Sequence, residues 1–187
     1  ATLLATGTDG LELEFSWREE EPPLPPIDLV VGLSRPQTSR KILQEATALG
    51  VRSMSFVNTE RGEASYGKSR LWSTGEWRRH LVAGAAQAFT TRLPKVVFGD
   101  DLDQSIGQSP EGALRIVLDN YESPCALAAH LRPPATMDPE ILLCVGSERG
   151  WTRAERELFR QSDFLFAHLG TRPLRTETAV IAAIAIA

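Results

Sequence analysis

The sequence encodes an α/β protein built on a largely parallel sheet. Two observations predict that class. Short, continuous apolar runs of the kind that fill strands buried on both faces recur along the chain. Between them lie longer segments whose apolar residues fall at helical spacing. Strand and helix then alternate from residue 27 to the end, as parallel strands joined by crossovers require.

The first stretch is the exception. "LLATGTDGLELEFSWREEE" alternates apolar and polar residues at Leu11, Leu13, Phe15 and Trp17, after the turn signal Asp9-Gly10. That pattern predicts a half-buried strand. A single strand or hairpin cannot stand alone, so residues 1–21 are expected to be the end of a small β-domain. "EEEPPLPP" follows, from Glu19 to Pro26. Its four prolines exclude a helix or a central strand, so 22–26 is expected to be a stiff linker.

The domain proper spans 27–187. "IDLVVGL" (27–33) predicts a strand buried on both faces. "TSRKILQEATALG" predicts a helix, with Ile42, Leu43, Ala46 and Leu49 on one stripe and Gly50 as its stop. "VRSMSFV" (51–57) is a second strand. "TGEWRRHLVAGAAQAFTT" (74–91) predicts one helix, with Trp77, Leu81, Ala85 and Ala88 facing inward. "PKVVF", "LRIVLD" and "EILLCVG" predict strands. "TRAERELFRQS" predicts an amphipathic helix opened by a capping box of Thr152 and Glu155. "DFLFAHLG" is the last strand and "TETAVIAAIAIA" the last helix.

Composition narrows the class further. The 187 residues are 42% hydrophobic and 24% charged, enough for one sizeable domain with a buried core. The longest apolar run, "AVIAAIAIA", is nine residues, against the roughly 20 that span a bilayer. The start "ATLLATGTDG" has no basic region of the kind that opens a signal peptide. Cys125 and Cys144 lie in or near apolar stretches and read as small core residues of a cytoplasmic protein. The three histidines show no metal-ligand spacing. A net charge of −4 argues against nucleic-acid binding by bulk electrostatics, although a local basic face would suffice.

In a parallel sheet, ligands bind beyond the carboxyl ends of strands. Three such ends stand out. "VLDNYESP" closes one strand. In "CVGSERGWTRAE" a strand ends at Val145, Gly146 and Gly150 frame a turn, and Thr152 opens a helix. That is either a tight connection or a place where backbone approaches a ligand closely. "HLGTRPLRTETA" repeats the plan, with Thr176 or its neighbour as cap and Glu177 suited to the helix's positive end. Arg172 and Arg175 sit at the wrong end for that dipole. They suggest an anionic partner: a cofactor carboxylate, a phosphate, or Glu177 itself.

These stretches carry a resemblance. "KILQEATALGV" (41–51) is similar to the "ILQKATELGV" segment of the 16S ribosomal RNA uridine-N3 methyltransferase family (RsmE), in the SPOUT class. "WRRHLVAGAAQAFTTRLPKV" (77–96) is similar to that family's helix "W..I..EAAEQS.R..LP.V". "VGSERGWTRAERELF" and "LGTRPLRTETAVIAAIA" are similar to its "GPEGGFS..E" and "LG.RILRTETA" signatures. Order and spacing agree across 27–187. "RPQTSRKIL" and "TERGEASYGKSRL" mark a divergent branch.

The resemblance implies a SPOUT fold with a C-terminal trefoil knot, working as a homodimer and preceded by a PUA-type β-barrel of which 1–21 is a remnant. It implies S-adenosylmethionine as cofactor, RNA as substrate, and no metal or membrane partner. Three turns would ring the cofactor: Leu118 and Asp119; Val145, Gly146, Ser147, Glu148 and Gly150; and Leu169, Gly170 and Leu174, with Thr178 behind. Adenine would be read by backbone groups around Leu169, Gly170 and Leu174. Arg172, Arg175 and Glu177 would assist departure of the uracil N3 proton. Gln87, Arg92 and Arg149 would face RNA. Two departures from the family pattern bear on the site. Gly-Pro-Glu-Gly-Gly is here Gly146-Ser147-Glu148-Arg149-Gly150, in which Arg149 is expected to add bulk and, if its φ is positive, strain. Pro173 replaces an isoleucine.

Overall fold

The computed structural model describes residues 1–16, 22–108, 110–131 and 140–187. Trp17 and Glu19–Glu21, parts of the expected first strand and linker, lie outside them. From Ile27 onward the chain forms a seven-stranded parallel sheet between two layers of helices, which is the expected class.

The chain opens with an antiparallel hairpin, β1 (Thr2–Gly7) and β2 (Gly10–Glu14), turning at Asp9-Gly10. The expected half burial is not found. Leu3, Leu4, Leu11, Leu13 and Phe15 are all exposed, because a two-stranded sheet has no second layer of its own to cover a face.

The sheet then runs β3 (Ile27–Gly32), β4 (Ser53–Asn58), β5 (Lys95–Asp101), β6 (Leu114–Leu118), β7 (Cys125–Ala126), β8 (Ile141–Val145) and β9 (Leu165–His168). Their spatial order is β5-β4-β3-β8-β6-β9-β7. Alternate residues serve the two faces, the period-two rule of a strand. Leu29, Val31, Met54, Phe56, Ile116, Leu118, Leu143 and Val145 build one core, closed by α1 (Pro36–Ala48), α2 (Arg70–Ser73), α3 (Trp77–Gln87), α5 (Leu127–His130) and α7 (Thr176–Ile186). Val30, Val57, Val117, Leu142 and Cys144 build the other, under α4 (Leu102–Gly107) and α6 (Arg153–Gln161).

The helix expected over 74–91 is α3, shorter than expected at Trp77–Gln87, and the four-residue α2 before it was not expected. Gly75 takes φ +74°, which separates α2 from α3. Leu81 and Ala85 face inward as expected, whereas Ala88 is the exposed C-cap of α3, and Leu49, the C-cap of α1, is also exposed. Gly84 permits the close crossing of α3 on α1, since a β-carbon there would collide with the Gln44 carbonyl oxygen. Gly50, at φ +85°, ends α1 as expected. The capping box of α6 is present in full. Glu155 N–H donates to Thr152 Oγ1 (3.2 Å), and Thr152 N–H donates to Glu155 Oε2 (2.7 Å). Among the described residues, no helix is long and apolar enough to cross a membrane.

At the amino ends of the strands, Arg52 clamps three of them. It donates to both carboxylate oxygens of Asp28 (3.1 and 2.5 Å) and to both of Glu140 (2.9 and 3.1 Å). Burial pushes Asp28 up, but hydrogen bonds from Arg52 and Ser53 and the Arg52 charge outweigh it and hold its carboxyl below the ordinary value. The Arg52 hydrogen bonds hold Glu140 low as well, and both carboxylates raise Arg52.

Candidate cofactor cleft

At the carboxyl ends, register places Val31, Val145, Leu118 and Ala167 in one row across β3, β8, β6 and β9. The turns that follow therefore leave the sheet at one level. From β3 the chain crosses by α1 to β4; from β8 it crosses by α6, on the opposite face, to β9. Such a divergence between adjacent strands opens a crevice at their ends.

The crevice is a cleft of about 800 Å³, within the range of small-molecule sites. It is lined by all three predicted turns: Leu118 and Asp119, Val145 through Gly150, and Leu169, Leu174, Arg175 and Glu177. Gly170, Arg172 and Thr178 lie outside this lining, as do Gln87 and Arg92 near the end of α3. The Gly170 N–H donates to His168 Nδ1 (3.0 Å).

The 146–150 turn is held tightly. A β-carbon on Gly146 would lie 3.1 Å from Gly150 Cα and 3.3 Å from Trp151 Cε2. Gly150, at φ +63°, takes the left-handed conformation and returns its N–H to Ser147 O (2.9 Å). Arg149 is therefore free of the expected backbone strain, because its glycine neighbour carries the turn. Arg149 O accepts from Arg61 Nη1 (3.1 Å), and Glu148 Oε1 accepts from the Arg35 N–H (2.9 Å). Gly32, at the end of β3, sits under this turn: a β-carbon there would lie 2.5 Å from Ser147 N.

Asp119 faces inward. Its Oδ1 accepts from the Tyr121 and Glu122 N–H groups (2.8 and 2.7 Å), and its Oδ2 accepts from buried Arg156 Nε (2.7 Å). The carboxylate is thus committed to shaping its own turn. Trp151 Nε1 donates to Leu118 O (3.0 Å) and ties that turn to the glycine turn.

At the start of α7 the expected cap is absent. Arg175 occupies the N-cap with no side-chain cap bond, and Thr176 is the first helical residue, buried. Glu177, its side chain 13% exposed, pairs with Lys41 Nζ at 3.5 Å and not with Arg175. At the start of α1 the N-cap Arg35 likewise makes no side-chain cap bond, and Arg35, Gln37, Thr38 and Lys41 line the cleft. Sequence reasoning did not assign these four residues. The available signal was "RPQTSRK", an arginine ahead of proline at a helix's first position.

The first turns of α1 and α7 therefore both border the cleft, and helix starts favour a carboxylate or phosphate. Ser147 Oγ is buried beside the cleft with no hydrogen-bond partner among the described residues. Backbone turns, two helix starts and a mixed polar and apolar wall suit a small ligand with an anionic group.

Fold and cleft together define a doubly wound α/β domain with a cleft at the carboxyl ends of its strands. The chain belongs to the RNA methyltransferase domain family, whose model matches residues 20–187. It is 34% identical over 167 residues to ribosomal RNA small subunit methyltransferase E of Treponema pallidum, covering 86% of this chain and 61% of that protein. It is 32% identical over 158 residues to small subunit methyltransferase E 1 of Borreliella burgdorferi, covering 83% and 63%. The crystal structure of the Neisseria gonorrhoeae methyltransferase E bound to S-adenosyl methionine superposes with a TM-score of 0.74 at 28% identity, covering 85% of this chain and 63% of that one. The chain thus spans about three-fifths of the length of the curated relatives it matches.

Proposed function

We infer that the chain is the catalytic domain of an S-adenosylmethionine-dependent methyltransferase acting on N3 of a uridine in 16S ribosomal RNA, in the cytoplasm. The observation that carries this reading is the convergence of the three turns on one cleft. When bound there, the cofactor supplies a methyl group already activated by its sulfonium. The protein's work is then alignment and proton removal. The starts of α1 and α7 hold the ligand's carboxylate, and the backbone at Leu118, Val145, Leu169 and Leu174 holds its ring. Arg175 stabilises the negative charge on the uracil oxygens as the N3 proton leaves, and Glu177 takes that proton. Lys41, 3.5 Å away, orients Glu177. Arg172, exposed beyond the cleft, joins Arg149, Gln87 and Arg92 in meeting RNA.

The same reading includes a C-terminal trefoil knot and a homodimer. α7 is apolar on all sides, yet only part of it is buried, and Ile186 is exposed. A helix of that composition calls for a covering surface on its outer side. The hairpin of β1 and β2 fits the end of a PUA-type β-domain, since its Leu3, Leu4, Leu11 and Leu13 side chains are exposed.

Calorimetric titration with S-adenosylmethionine and S-adenosylhomocysteine tests the reading. Micromolar binding at one site per chain is expected, followed by methyl transfer to unmodified 16S RNA. A folded protein that binds neither compound would instead be a silent RNA-binding scaffold in which the Ser147 and Arg149 turn has closed the cleft.

A further inference from the structure

Tyr121 lies in the turn that joins β6 to β7. The turn meets β7 at the sheet's edge, where Cys125 is half-buried and not the core residue expected, while Cys144 is buried as expected. Core packing therefore does little to shape the turn, and its own hydrogen bonds take over. Asp119 Oδ1 accepts from the Tyr121 and Glu122 N–H groups, and the Ser123 hydroxyl donates to Asp119 O. Asp119 Oδ2 fixes buried Arg156, whose guanidinium lies over the Tyr121 ring, 5.3 Å from its centroid. One buried ion pair thus holds both the backbone and the ring of Tyr121. The neighbouring carboxylate of Glu122 is taken up by Arg160, with Arg156 Nε 3.8 Å away.

Tyr121 is nonetheless 81% exposed, and it lines the cleft. Trp151, the other aromatic residue of that lining among the described residues, is buried and bonded to Leu118 O. An aromatic side chain ordinarily gains by burial. Here the ring is fixed on one side by a guanidinium and left open on the other, at the rim of the cleft. A fixed, open aromatic face is what an unstacked nucleic-acid base packs against.

We propose that Tyr121 is the stacking platform for an unpaired uracil at the rim of the cleft, the base presented for methylation. The proposal rests on the methyltransferase reading above. N3 of uracil lies on the edge used in pairing, so a base methylated there has left its partner and its stack. Stacking on Tyr121 offsets part of that loss. The buried Asp119–Arg156 pair keeps the ring from turning aside when the base arrives.

The test titrates the full chain, without cofactor and at low salt, with fluorescein-labelled heptauridylate and with an abasic ribose-phosphate oligomer of the same length. Fluorescence polarisation is expected to show at least about tenfold tighter binding of the uridine oligomer. Tyr121→Ala should lose most of that preference and keep its affinity for the abasic oligomer, and Tyr121→Phe should retain the preference. Tyr121→Ala should also lose at least about tenfold in kcat/KM for 16S RNA, while calorimetry finds S-adenosylmethionine bound as in wild type. No preference in wild type overturns the proposal, as does an undiminished preference or kcat/KM in folded Tyr121→Ala. A loss of S-adenosylmethionine affinity in that variant overturns it too, and makes the ring a cofactor contact. Should Tyr121→Ala fail to fold, the wild-type comparison of the two oligomers decides. Failure here with S-adenosylmethionine still bound leaves the methyltransferase reading standing. A chain that prefers the uridine oligomer through Tyr121 but binds no cofactor overturns that reading and not the platform.

Discussion

Gly32 shows how one residue sets the cleft. The end of β3 and the 146–150 turn approach so closely that a β-carbon at position 32 would meet Ser147 N at 2.5 Å and Thr59 Cγ2 at 3.0 Å. One of those contacts is backbone and cannot rotate away. Gly32→Ala is therefore expected to lower stability by about 1–3 kcal/mol, the usual cost of overpacking. It should also weaken S-adenosylmethionine binding, because the turn that moves lines the cleft. Urea unfolding and calorimetry on the same variant check both effects, and unchanged affinity would remove that turn from the site. Arg172 and Arg175 make a second comparison at this scale. Both are exposed, but only Arg175 lines the cleft. Arg175→Ala should abolish methyl transfer with little change in unfolding midpoint, while Arg172→Ala should raise the KM for RNA and leave kcat nearer wild type. Equal losses of kcat in the two variants would place Arg172 at the reacting base.

Among the elements, α6 was the most legible from sequence and also carries a connection that sequence did not reveal. Thr152 and Glu155 announce a capping box by spacing alone. The second oxygen of Glu155, however, accepts from the Glu60 N–H at 2.8 Å, fastening the loop after β4 to the helix start. Thr152→Ala should then cost about 1 kcal/mol, the price of a lost cap. Glu155→Ala should cost more, since it frees two backbone donors where Thr152→Ala frees one. Thermal unfolding of the two variants ranks them, and equal losses would mean that the Glu60 contact contributes nothing. Elsewhere legibility tracked periodicity. The apolar runs and stripes located β3, β8, α1 and α7 because burial imposes those patterns. The four-residue α2 went unseen because one helical turn is too short to show a period. The two-residue β7 and the short α4 and α5 are below the length at which periodicity can register.

Across the whole molecule the parallel sheet separates two jobs by its two ends. The carboxyl ends were readable because each strand end is followed by a turn of recognisable composition. The Arg52 clamp at the amino ends was not, because it joins Asp28, Arg52 and Glu140, which the sequence keeps far apart and only register brings together. Its contribution to stability carries a sign. Asp28 and Glu140 titrate below their ordinary values of 3.8 and 4.5 in the folded chain. The unfolded chain therefore binds their protons first as pH falls. The clamp's stabilisation is fully present above that range and is lost as pH drops through the lower folded values. Arg52→Gln should consequently be less stable than wild type at neutral pH, and the gap should narrow as pH falls below about 4. Urea midpoints measured at several pH values read this directly, and a gap that stays constant with pH would show that the charges contribute nothing beyond packing. Because the clamp lies at the opposite end of the strands from the cleft, the same variant should bind S-adenosylmethionine at neutral pH as wild type does. A matching fall in affinity would mean that the two ends of the sheet are not independent.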